Sequence, residues 1–97
     1  MEFKILQIRD IKSCEYAFDW WKFAQDKFNI NDYQVVYEGE IDGDSSNDTL
    51  ERLFIMFNVN HPQDFRGHSL SVSDIVELDD ELYYCDSVGW EKLSDLL

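Results

Sequence analysis

Proline is almost missing from this chain: Pro62 is the single one among 97 residues. That excludes collagen-like and Pro-rich architectures. Cysteine is nearly as scarce. Cys14 and Cys85 make no C-x-x-C spacing, so neither a disulfide framework nor a zinc-finger pattern is present. No apolar run approaches the ~20 residues of a bilayer span, and the opening MEFKILQIRD lacks the apolar core of a secretory signal. The expected setting is soluble, reducing and cytoplasmic, away from membrane. Basic residues are the last shortage: 8 Lys+Arg stand against 21 Asp+Glu, a net charge of −13. A surface of that sign repels nucleic acid and anionic membrane and attracts cationic partners. Gly-rich phosphate loops and Gly-x-Ser-x-Gly elbows are also lacking.

What is present is apolar and aromatic. Three Trp, five Tyr and seven Phe in a chain that is 44% hydrophobic argue for a packed core and against disorder. Phe3, Ile5 (with Leu6) and Ile8 alternate with Glu2, Lys4 and Gln7, predicting a first strand. Ser13 as N-cap, Glu15 in the first turn and the stripe Ala17, Trp21, Ala24 and Phe28 predict a helix over 14–28. Tyr16, Trp20 and Phe23 widen its apolar face. Either two layers sandwich it, the preferred reading, or part of it is a docking surface.

Tyr33–Ile41 reads as a strand with Val35, Tyr37 and Ile41 as candidates for one face, and Gly43–Asn47 as a loop. Asp48 as N-cap with Glu51 at N3, then Leu50, Leu53, Phe54 and Phe57, predict a helix over 49–57. His61 and Pro62 open a single helical turn that Gly67 would close at positive φ, with Asp64 in its N-terminal field. Val72–Leu78 and Leu82–Val88 then form a hairpin around Asp79-Asp80-Glu81. Glu91–Leu97 is a last short strand or a terminal turn. The fold class is a small single α+β domain: a largely antiparallel sheet, including that C-terminal hairpin, packed against two helices.

Strand parity has a chemical consequence. A three-residue loop sets Leu78 opposite Leu82, Val76 opposite Tyr84, Asp74 opposite Asp86 and Val72 opposite Val88. Two carboxylates facing each other on an apolar face would share a proton, or neighbouring donors would satisfy them, which is the preferred reading. A two- or four-residue loop would put Asp74 opposite Cys85 or Ser87 instead and dissolve the pair.

The pieces HPQDFRGHSLSVSDIVEL (His61–Leu78) and YYCDSVGW (Tyr83–Trp90), preceded by YEGEI (Tyr37–Ile41) and a Leu/Phe-rich helix, resemble the YodL-like domain. That is a small module of Firmicute proteins that recurs on conjugative elements and phages. The resemblance implies no established reaction or cofactor. It does imply a mobile-element setting, where inhibitors of restriction and CRISPR nucleases are carried.

Other constellations fall short on geometry. Glu40, Asp42, Asp44, Asp48 and Glu51 match the carboxylate spacing of an EF-hand loop, but Ser45 occupies the position that requires glycine. A solvated loop is the better reading, and no metal site is assigned. His61, His68 and Cys85 fit no zinc spacing and assemble no nucleophile, base and oxyanion site, so no catalytic residue is assigned. The charge itself remains. Glu38, Glu40, Asp42, Asp44 and Asp48 form one cluster, and Glu77, Asp79, Asp80 and Glu81 another. The expected function is a non-enzymatic, cofactor-free interaction module whose Glu38, Glu40, Asp42, Asp44, Asp48, Asp79, Asp80 and Glu81 bind a basic, DNA-handling host protein such as a defence nuclease. The alternatives are an adaptor that docks through Trp20 and its neighbouring rings, or an enzyme that uses Asp74 and Asp86.

Overall fold

Alternation at the start of the chain becomes the sheet's spine. The computed structural model describes residues 1–93, with β1 at Glu2–Ile8, α1 at Trp21–Ala24, β2 at Tyr33–Glu40 and α2 at Ser46–Val59. β3 (Ile75–Leu78), β4 (Glu81–Cys85) and β5 (Trp90–Lys92) follow. The five strands lie in the order β2-β1-β3-β4-β5, every neighbouring pair antiparallel.

Both faces of the sheet are covered. Leu50, Leu53 and Phe57 of α2 pack on Phe3, Ile5, Val76, Leu78 and Tyr83. On the other face the segment between β1 and β2 lays Tyr16, Ala24, Trp21 and Phe28 over Ile8, Tyr33, Ile75 and Tyr84. This two-sided burial explains why consecutive Ile75 and Val76 are both fully buried.

The long helix expected over 14–28 does not form. Only Trp21–Ala24 is α-helical, after a short 3₁₀ turn at Ile11–Ser13. Phe18 sits at φ 66°, outside any right-handed helix. Tertiary bonds take the backbone instead. The Phe18 N–H donates to Ser73 Oγ at 2.9 Å, the Trp21 N–H to Asp86 Oδ1 at 3.0 Å, and the Tyr84 hydroxyl to the Asp19 carbonyl at 2.7 Å. Ser13 caps nothing; its hydroxyl donates to Asp10 Oδ2. The stripe nonetheless faces the core: Ala24 is buried in it, and Ala17, Trp21 and Phe28 pack half-buried against it.

The hairpin is also tighter than expected. Leu78 pairs with Glu81 and Val76 with Tyr83, so the connection is the two-residue turn Asp79-Asp80. Both residues have positive φ, 48° and 70°, as a type I′ turn requires. Upstream, Ser73 (φ 82°) and Asp74 together face Cys85: the Ser73 N–H donates to the Cys85 carbonyl, and the Cys85 N–H to the Asp74 carbonyl. That β-bulge ends the ladder, so β3 starts at Ile75 and not at Val72.

Smaller corrections follow the same logic. Ser45, not Asp48, is the N-cap of α2, accepting from the Asp48 N–H. An irregularity between Ile5 and Leu6 sets Tyr37 opposite Ile5 but Val35 opposite Leu6, so Val35 and Tyr37 do not share a face. Gly67 has no positive φ. Glycine is needed there because a Cβ would lie 2.4 Å from Gln7 Oε1 and 2.8 Å from the Phe65 ring. Trp90–Lys92 confirms the last short strand, while the Ser94–Leu97 part of that expectation lies outside the described residues.

Candidate functional site

Phe3 and Ile5 point toward α2, so Glu2 and Lys4 project from the opposite face of the sheet. Strand pairing then gathers charge around them. Glu40 lies opposite Glu2, while Glu38 and Glu77 flank Lys4 from β2 and β3. Lys4 Nζ stands 3.6 Å from Glu77 and 4.0 Å from Glu38. A shallow depression of about 340 Å³ is lined by Glu2, Phe3, Lys4, Glu38, Gly39, Glu40, Glu77 and Asp80. One lysine ammonium therefore shares the depression with five carboxylates, two of them within 4.0 Å of it. Neighbouring strands lie ~4.8 Å apart and alternate residues along a strand ~6.7 Å, so these charges form a regular grid. Lys4 is a weak anchor, since exposed ion pairs contribute ~0–1 kcal/mol.

Of the residues expected to bind a partner, pairing joins Glu38, Glu40 and Asp80 in one patch. Asp79 borders it, tied down by the Glu2 N–H at 2.9 Å from its Oδ1. Asp42 and Asp44 stay on the exposed loop before α2, and Asp48 in the helix's first turn, away from the depression. Glu81 pairs with Leu78, on the α2 side of the sheet. Reasoning from sequence missed Glu2 and Lys4, whose alternation with Phe3 and Ile5 was visible. The register that sets them against Glu38, Glu40 and Glu77 was not.

The suggested aspartate pair does not exist. Asp74 is fully buried opposite Cys85, where its Oδ2 accepts from the Ser71 N–H at 2.8 Å and from Gln7 Nε2 at 3.1 Å. His68 Nε2 stands 3.8 Å from Oδ1. Burial raises the Asp74 carboxyl to about 7, against the opposing pull of the Ser71 N–H, His68 and Gln7. A raised carboxyl pKa thus needs no second aspartate. Asp86 is only half-buried and accepts from the Trp21 and Ser87 N–H groups. Burial, reinforced by Asp74 and Asp86, pushes the Cys85 thiol up to about 12, so it stays protonated at neutral pH. Among the described residues no three His, Cys, Asp or Glu side chains converge on a metal position.

A second surface is aromatic. Phe18, Trp20 and Phe23 are 51%, 47% and 58% exposed, and Lys22 Nζ lies about 5 Å from the Trp20 and Phe23 rings. Among the described residues no helix is long and apolar enough to cross a membrane.

Comparison with known proteins reaches further than the local motifs. The profile of the YodL-like domain matches residues 2–96, taking in β1 and the segment before β2 as well as the C-terminal pieces. The chain is 28% identical to an uncharacterised protein, YodL, of Bacillus subtilis strain 168, over 103 residues that cover 96% of this chain and 95% of that one. No solved structure matches it. From its first strand to its C-terminal end, this chain belongs to the YodL-like domain family.

Proposed function

We propose that this domain is a non-enzymatic, cytoplasmic interaction module that binds a basic protein through the acidic face of its sheet. The observation that carries the reading is the pairing of β1 with both β2 and β3, which assembles Glu2, Glu38, Glu40, Glu77 and Asp80 around one lysine. The net charge of −13 gives the whole molecule the same polarity. A field of that sign speeds encounter with a cationic cleft and loses strength with salt. The partner that fits is one whose cleft evolved for a phosphate backbone. The finer reading is therefore a nucleic-acid mimic carried by a mobile element or phage, which inhibits a host CRISPR or restriction nuclease. It binds no nucleic acid itself.

The test is competition. Purified restriction and CRISPR nucleases are titrated with the domain, with and without their duplex substrates. A nuclease that binds it should release it to duplex DNA, and the Glu38→Gln/Glu40→Gln variant should bind at least tenfold more weakly. A ternary complex containing DNA and the domain together would refute mimicry. The exposed Phe18, Trp20 and Phe23 favour a second reading, an adaptor surface with Trp20 as its anchor.

A further inference from the structure

β2 is the outermost strand, and its free edge can be read group by group. The Met1 amino group donates to the Ile41 carbonyl at 2.8 Å, and the Ile41 N–H returns a bond to the Met1 carbonyl at 2.9 Å. Bonded and non-bonded pairs alternate along an antiparallel ladder. Phe3–Gly39 and Ile5–Tyr37 are then the bonded pairs, and Glu2–Glu40 and Lys4–Glu38 the non-bonded ones. The other side of β1 agrees, because the Glu2 carbonyl turns toward β3 and accepts from the Asp79 N–H at 3.0 Å. The backbone N–H and C=O of Glu38 and Glu40 therefore point outward. Among the described residues nothing outside the sheet is hydrogen-bonded to them.

The edge is closed at its other end. Arg9 donates to the Tyr33 carbonyl at 2.8 Å and to the Asn31 carbonyl at 3.1 Å, which blocks pairing there. The open part is short, and its side chains decide what can add to it. An antiparallel neighbour places residues directly opposite Glu38 and Glu40, with ~4.5–5.5 Å between Cβ atoms. A second copy of β2 would bring acidic side chains to this already acidic edge, which like-charge repulsion disfavours. Cations at alternate positions would meet both glutamates at once. Gly39 between them presents no side chain.

We infer that the outer edge of β2 receives an extended basic segment of the partner as a sixth, antiparallel strand, with Lys or Arg at alternate positions facing Glu38 and Glu40. This mode of docking rests on the reading of the acidic face given above. Backbone bonds supply the alignment and the two ion pairs supply the sign, as in other strand-addition interfaces. The exposed Val35 would favour an apolar residue where the added strand passes it.

A twelve-residue peptide alternating Lys and Val is the probe, titrated at low salt into the isotope-labelled domain. Its twin carries N-methyl groups on the lysine amides, which keeps every charge and removes the edge donors. The expected result is binding of the plain peptide, exchange of the Glu38 and Glu40 amides slowed at least tenfold, and at least tenfold weaker binding of the methylated twin. Equal binding of the two peptides, with those amides unprotected, would overturn strand addition and leave the acidic-face reading standing. Binding of neither peptide would remove both. Protection of the two amides in the absence of peptide, with a dimer in sedimentation, would assign the edge to a second copy and overturn the inference.

Discussion

Asp74 is where a single side chain most constrains the chemistry of this molecule. Its carboxylate is fully buried, and the folded chain holds its proton to about 7, through burial. The unfolded chain releases that proton near the ordinary ~3.9. Between those values the folded state binds the extra proton, so this group's contribution to stability falls as pH rises and is fully lost above about 7. The expected outcome is a wild-type stability that drops from pH 5 to 8 by ~2–4 kcal/mol more than that of Asp74→Asn, read from denaturant midpoints at each pH. Parallel profiles would show that Asp74 is already ionised. Strand parity already set it on the apolar side of the sheet with donors close in sequence, as the Ser71 N–H is, but Gln7 and His68 were not foreseen. Gln7, His68 and Ser71 come to it from β1 and from the long stretch before β3, over separations of up to 67 residues.

Elements were legible wherever local pattern and tertiary demand agreed. β1, β2 and α2 follow alternation and the spacing of Leu50, Leu53, Phe54 and Phe57 to within a few residues. The cap of α2 shifted because Ser45 and Asp48 are both good caps, and the helix starts a turn earlier than its apolar stripe. Ser45→Ala should therefore cost ~1 kcal/mol in thermal or denaturant unfolding, and Asp48→Ala less, because Asp48 offers only its charge to the first turn. The reverse order would restore Asp48 as the cap.

The hairpin failed by one residue in loop length, and a one-residue slip turns over every side chain of a strand. Asp79-Asp80 carried the missing signal, since aspartate tolerates positive φ and suits a two-residue turn. The helix over 14–28 failed because periodicity was right and continuity was not. Its stripe packs on the core, but Tyr16, Phe18, Asp19 and Trp21 are each pinned to a different distant group. No local rule foresees those bonds.

At the scale of the whole molecule, topology turns a composition into a surface. The acidic clusters around Glu38 and around Asp80 are about forty residues apart in sequence, yet β1 sits between their strands and joins them. Half of the candidate site was thus named from the sequence, and its assembly was not. Glu2 enters with β1, while Asp42, Asp44, Asp48 and Glu81 drop out because their backbone leads elsewhere. The exposed rings of Phe18, Trp20 and Phe23 compete for the same role by a different physics, one that is insensitive to salt.

The most direct measurement is the affinity of a captured basic partner as a function of NaCl, for the wild type, for Glu38→Gln/Glu40→Gln/Glu77→Gln and for Trp20→Ala. Binding through the acidic face should give a steep fall in wild-type affinity with salt, a shallower slope and at least tenfold weaker low-salt binding for the triple variant, and near-wild-type binding for Trp20→Ala. A complex that persists unchanged in 1 M NaCl, is indifferent to the three glutamates and is abolished by Trp20→Ala would contradict it.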